Sequence, residues 1–290
     1  MPVQSVTASP TFDGSFLREY SETKNATDSY YNKWITLNKN NTLTQFKGYE
    51  ITQNTPKFIG IQGDLVLCNQ QITLTRTATT VMSSTDTNEN NSRYGLGQNV
   101  FGNSFTAAID ISAMNFPTNV QETVYMYNTG SFGDWNNETP TSESSNAGTY
   151  KAIPKNVANT LAYGKIPSMQ GFLLRHIGTT SDPIAMTLPY ANVVANNKPQ
   201  LAPRQKSANE DLSYLEIGLT SASTRDKMWL FSQKGTSAYF DNGWDGMKFF
   251  GTQTAFIYAP TPDGNMQINT TRNISVRTST LCQMRIRNIL

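Results

Sequence analysis

Short runs in which apolar and polar residues alternate recur along the chain, and Asn, Gly, Pro and Thr separate them. The clearest run is Tyr214–Thr220, in which Leu215, Ile217 and Leu219 occupy every second position. A period of two places such residues on one face of a β-strand. The run therefore predicts a half-buried strand with these three side chains against a core.

A second run, Asp226–Ser232, follows after a short turn-like segment. Two such runs joined by a turn predict an antiparallel hairpin. Alternation along the second strand would place Met228 and Leu230 on one face and Trp229 and Phe231 on the other.

Further strands are predicted where a short apolar or alternating run is bounded by turn residues. These runs are Lys33–Leu37, Gly48–Thr52, Lys57–Ile61, Asp64–Leu67, Ile72–Arg76, Thr123–Tyr127, Gly171–Ile177, Ile184–Leu188 and Ala255–Tyr258. Helical periodicity is limited to Asn156–Tyr163, and strands do not alternate with helices. The pattern predicts an all-β fold, an antiparallel β-sandwich of the jelly-roll-like type.

A chain of 290 residues is long enough for one large β-domain or two small ones. We expect one β-rich unit over residues 1–290, or two lobes, residues 1–195 and 211–290, joined by residues 196–210. The tail 282–290 is basic. We hypothesise that a frameshift truncates the natural domain there.

Composition and charge exclude several classes of partner. Charged residues make up 15% of the chain, against about a quarter in average soluble proteins. The net charge is +2 and Lys and Arg are scattered, so we expect no nucleic-acid partner. No apolar run reaches the roughly 18 residues that cross a bilayer, and we predict no membrane insertion. Because residues 1–4 lack signal-peptide features, we expect the export signal to lie outside this chain.

The residues needed for common catalytic sites are missing. His176 is the sole histidine, so any Ser–His–Asp or Cys–His mechanism would depend on it. One histidine and two distant cysteines do not supply an ordinary zinc site. No pattern nominates the carboxylate pair of a glycosidase or a phosphate-binding Gly-rich loop. We therefore predict that the protein is not an enzyme and has no cofactor other than calcium.

The calcium prediction concerns the segment Phe240–Gly246. Its carboxylates, Asp241 and Asp245, are oxygen ligands of the kind that calcium accepts. The same segment also predicts a tight turn, in which both carboxylates accept backbone N–H bonds and Gly243 and Gly246 adopt positive φ.

Three aromatic residues are candidates for ligand binding. Trp135, Tyr239 and Trp244 offer flat apolar area together with a polar group, which suits stacking on sugar rings. Aromatic residues in β-proteins also pack in cores, so a glycan site requires them to be exposed.

Five segments, taken together in their order along the chain, resemble large secreted or surface proteins of Bacteroidetes. The segments are Phe46–Glu50, Gly102–Asp110, Ile166–Phe172, Asp226–Leu230 and Phe240–Lys248. The resemblance implies an exported structural or adhesive module, located near the C-terminus of a longer chain and ahead of a sorting domain for type IX secretion. We expect the sorting domain not to be part of this sequence, and the resemblance implies no catalytic residues.

Taken together, the sequence predicts a non-catalytic structural or adhesive module of a bacterial secreted or cell-surface protein. Its partner would be a cell-surface protein or a glycan outside the cell. The alternative is a carbohydrate-binding module, assisted by calcium.

Overall fold

The fold is known from a computed structural model. The residues that it describes are 15–27, 34–37, 42–53, 64–77, 96–128, 149–161, 164–194, 212–220, 225–250, 255–272 and 283–286. Within them almost all regular structure is β-strand, and nearly every pairing is antiparallel. The predicted all-β antiparallel class is therefore confirmed.

One short helix and eighteen strands are found in these ranges. The N-terminal elements are β1 (Ser15–Tyr20), α1 (Glu22–Thr27), β2 (Trp34–Thr36), β3 (Tyr49–Gln53), β4 (Gln70–Leu74), β5 (Gln98–Gly102), β6 (Ala108–Asp110), β7 (Thr123–Asn128) and β8 (Thr149–Pro154). The next are β9 (Lys165–Ile166), β10 (Gly171–Arg175), β11 (Ile184–Leu188) and β12 (Val193–Val194). The C-terminal strands are β13 (Ser213–Thr220), β14 (Arg225–Ser232), β15 (Gly246–Met247), β16 (Ala255–Thr261), β17 (Gly264–Thr271) and β18 (Gln283–Ile286).

The strands form several small sheets and one larger C-terminal sheet. The smaller sheets have the orders β2-β1-β3, β5-β10-β7-β8, β11-β4 and β12-β6-β9. The larger sheet has the order β13-β14-β17-β16-β18, and β15 also pairs with β17. β14 and β17 run parallel, which departs from the antiparallel pairing expected throughout.

The predicted hairpin is present as β13 and β14, which pair antiparallel over all eight residues. β14 is buried on both faces. Met228 and Leu230 pack in a smaller core, while Trp229 and Phe231 pack in a larger one. Each of these two pairs of residues therefore lies on the face of the strand that alternation predicted.

The predicted burial of β13 is correct for two of its three apolar residues. Ile217 and Leu219 pack against the smaller core. Leu215, also predicted to face a core, is 49% exposed. It lies towards the start of the strand, where all four residues 213–216 are exposed.

The larger core draws on both halves of the chain. Val124 of β7 and Phe172 of β10 share it with Phe231 of β14 and Ile268 of β17. Burial of apolar area in one continuous core holds such layers together. The expected linker 196–210 lies outside the described residues.

Two other predictions differ from the structure. Asp64–Leu67 is not a strand, and Lys57–Ile61 lies outside the described ranges. Of the candidate helix 156–163, the described residues 156–161 instead form the end of a 3₁₀ turn at Lys155–Val157 followed by turns. β18 lies within the basic tail 282–290 and pairs with Ala255–Tyr258 of β16.

Candidate functional site

The three predicted ligand-binding aromatics have different environments. Tyr239 is 60% exposed. Trp244 is partly buried and packs against the larger core. Trp135 lies outside the described residues. A shared glycan surface therefore stays a prediction.

The turn predicted at the acidic segment is present. Asp241 Oδ2 accepts the backbone N–H of Ser237 at 2.6 Å. Asp245 Oδ2 accepts the N–H of Asp241 at 2.7 Å, and its Oδ1 accepts the N–H of Thr270 at 2.6 Å. Among the residues that the structure describes, no group of three or more His, Cys, Asp or Glu side chains could hold a metal ion. Calcium binding by Asp241 and Asp245 stays a prediction.

The two glycines of this turn have different roles. Gly243 has φ +82°, as predicted for a position that glycine favours. Gly246 was also predicted to have positive φ, but it is not among the residues that do. It is required by close packing instead, because a Cβ there would lie 2.5 Å from Cβ of Ala152.

Hydrogen bonds from the turn segment 237–248 connect the C-terminal sheet to the strands β7 and β8 and the residues next to them. Asn242 Oδ1 accepts the N–H of Glu122 at 2.8 Å, and the Gly243 carbonyl accepts the N–H of Asn156 at 2.9 Å. Thr123 Oγ1 donates to the Asp245 carbonyl at 2.9 Å. The polar groups of this segment therefore hold the fold together.

His176, the one candidate for histidine-dependent catalysis, is buried, and both of its ring nitrogens contact backbone groups. Its Nε2 lies 2.9 Å from the carbonyl of Asp182, and its Nδ1 accepts the N–H of Gly178 at 3.1 Å. These contacts fix the Nε2–H tautomer. The ring closes a local turn.

A buried ion pair that sequence analysis did not predict joins Lys248 to Asp226. Nζ of Lys248 contacts Oδ1 of Asp226, and each side chain is only 2% exposed. Burial lowers the pKa of Lys248, an effect that the charge and the hydrogen bond of Asp226 oppose. Their positions beside apolar strand residues could have indicated the pair, but 22 residues separate them in sequence.

The outer edge of β13 is the most exposed apolar strand surface of the C-terminal sheet. Tyr214 and Leu215 are 52% and 49% exposed. Within the described ranges β13 pairs with β14 alone. The outward N–H and C=O groups of such an edge strand can accept a further strand.

The chain is similar to the minor fimbrium subunit Mfa5 of Porphyromonas gingivalis, with 32% identity over 237 residues. The alignment covers 77% of this chain, and the chain spans 18% of the length of that relative. No protein family model matches the chain, and no solved structure matches it. The similarity supports a relationship to surface proteins of Bacteroidetes. In the described part of the chain, no helix is long and apolar enough to span a membrane.

Proposed function

We propose that the chain is a non-catalytic structural module of a bacterial cell-surface protein and assembles with other surface proteins outside the cell. The observation that carries this proposal is the similarity to a fimbrium subunit over 77% of the chain. The fold agrees with it, because the polar groups of the turn 237–248 connect strands and the ring nitrogens of His176 contact the backbone of a local turn.

The contact surface in this proposal is the edge of β13. Strand addition to an exposed edge obtains affinity from main-chain hydrogen bonds and selectivity from the side chains beside them. Tyr214 and Leu215 are exposed at that edge and offer apolar area to a partner strand. A strand of a neighbouring surface protein is the occupant that fits.

The test compares two exposed leucines in the bacterium that carries this sequence. Filaments are sheared from cells and sedimented, and the fraction of the chain that sediments with them is measured. Leu215→Lys should lower that fraction several-fold, because charges on edge strands oppose pairing. Leu67→Lys is the matched control, since Leu67 is 62% exposed and outside β13.

Two results would contradict the proposal in different ways. A wild-type chain that is absent from the sheared fraction would argue against assembly at the surface. Equal sedimentation of Leu215→Lys and wild type would argue against the β13 edge as the contact.

Two finer predictions have less support. The similarity does not favour the carbohydrate-binding alternative, for which Tyr239 is the exposed aromatic candidate. Export by type IX secretion stays a prediction, and loss of the chain from the cell surface in a strain without that system would test it.

A further inference from the structure

The buried pair Lys248–Asp226 has the geometry of two groups that can react with each other. Asp226 is the second residue of β14, and Lys248 directly follows β15. Nζ of Lys248 contacts Oδ1 of Asp226 with both side chains 2% exposed. Groups held in contact in this way react at effective concentrations far above those in solution.

The surroundings of Lys248 are apolar and disfavour its ammonium form. The Phe256 ring centroid lies 5.9 Å from Nζ of Lys248. Phe250 packs edge-on against Phe256 at 5.2 Å. Burial in such an environment disfavours the ammonium form of Lys248, and loss of its proton leaves a nucleophilic amine nitrogen in contact with the carboxyl group. The lowered pKa of Lys248 has the same cause.

The carboxyl group of Asp226 is also polarised by backbone donors. Oδ2 accepts the N–H of Ile257 at 2.9 Å, and Oδ1 accepts the N–H of Lys227 at 2.9 Å. A backbone N–H at Oδ2 is placed to stabilise the negative charge that develops there when a nucleophile adds to Cγ.

We propose that Lys248 and Asp226 condense to an intramolecular amide bond that covalently joins β14 to the segment after β15. In this step the ammonium of Lys248 first passes a proton to the carboxylate of Asp226, and the neutral nitrogen Nζ then adds to Cγ, so that the N–C bond forms. The C–Oδ1 bond then breaks, and Oδ1 leaves as water with one proton from the acid and one from the amine. The step needs no oxidant, reductant or further reactant.

The bond would close a covalent loop around the turn 237–248, the segment that fastens the C-terminal sheet to β7 and β8. A cross-link restricts the unfolded chain in the way that a disulfide does. Because water is excluded from the site, the amide would also be protected from hydrolysis. The proposal does not depend on the surface function, since it concerns two residues of this chain alone.

A second Lys–carboxylate contact on the same hairpin serves as the comparison. Lys227 Nζ contacts Oε1 of Glu216, but the two side chains are 56% and 42% exposed. This exposed pair is solvated and lacks the apolar enclosure that disfavours the ammonium form at Lys248. No bond is expected there.

The test is the intact mass of the purified, denatured 290-residue chain. We expect a mass lower by one water than the sequence gives, and the full sequence mass for Lys248→Arg and for Asp226→Ala. Lys227→Arg, the matched control, should keep the loss of one water. After trypsin, residues 226–227 should be attached to residues 235–272, because cleavage at an acylated Lys248 is blocked.

Two results would overturn the proposal. One is a wild-type chain at its full sequence mass. The other is a loss of water that persists in Lys248→Arg and maps to one of the Asp–Gly pairs, which can dehydrate to a succinimide on their own: Asp13–Gly14, Asp245–Gly246 or Asp263–Gly264. The wild-type mass and peptide map decide the question even if a variant does not fold.

Discussion

The raised pKa of Asp245 predicts that the stability of the fold depends on pH in an unusual direction. Its side chain is fully buried, and desolvation raises its pKa from 3.8 to about 7. The hydrogen bonds from the N–H groups of Asp241 and Thr270 oppose this rise, and the charge of Asp241 adds to it. Between these two pKa values the folded chain keeps the proton that the unfolded chain releases.

The sign and the size follow from this difference in protonation. Because the folded state binds more protons, its stability falls as pH rises from about 4 to about 7. At about 1.4 kcal/mol per pH unit, the interval from 3.8 to about 7 gives a loss of at most about 4 kcal/mol. The contribution is fully present below the unfolded pKa and is lost as pH passes the folded pKa.

Urea unfolding at several pH values between 4.5 and 8 measures this contribution. Asp245→Asn should have a smaller slope of unfolding free energy against pH than wild type. At pH 5 it should be less stable by about 1–3 kcal/mol, since an amide accepts only one of the two N–H groups. Asp263→Asn, at an exposed carboxylate, should keep the wild-type slope. Equal slopes for wild type and Asp245→Asn would refute the reasoning.

Two further predictions concern packing and buried hydrogen bonds, and urea unfolding measures both. Gly246→Ala should lower the unfolding free energy by about 1–3 kcal/mol, because its Cβ would lie 2.5 Å from that of Ala152. Gly218→Ala is the control and should change the unfolding free energy little, because no atom lies within 4 Å of its Cβ. Equal effects of the two substitutions would contradict the packing argument. Asn103→Ala should cost about 3 kcal/mol, because the buried amide donates to three carbonyls and accepts one N–H. Asn192 is partly buried and makes one solvent-accessible hydrogen bond, to the Ala113 carbonyl. Asn192→Ala should therefore cost less than about 1 kcal/mol, and a loss as small for Asn103→Ala would contradict the assigned role.

Strands were predictable where side-chain polarity follows burial. Ile184–Leu188 has the predicted bounds as β11, with Met186 and Leu188 buried. β17 was missed because Gln267 and Asn269 are buried along with their apolar neighbours Met266 and Ile268. Gln267 is tolerated there because its Oε1 accepts the N–H of Ala152 at 2.8 Å. Such a contact between distant segments leaves no periodic signal in the sequence.

The candidate sites were predictable to a similar, limited extent. The acidic turn was visible because Asp and Gly favour turns locally. The exposure of Leu215 was not predictable from the sequence, because it depends on where the smaller core ends rather than on alternation. The pair Lys248–Asp226 depends on the packing of β14 against the segment after β15, which tertiary structure alone determines.

The central claim, that this chain is part of the cell surface, is tested most directly by antibody labelling of the bacterium that carries it. An antibody raised against the purified chain is applied to intact cells and to permeabilised cells. A surface module predicts strong labelling of intact cells that permeabilisation does not increase. Labelling that requires permeabilisation would contradict the claim.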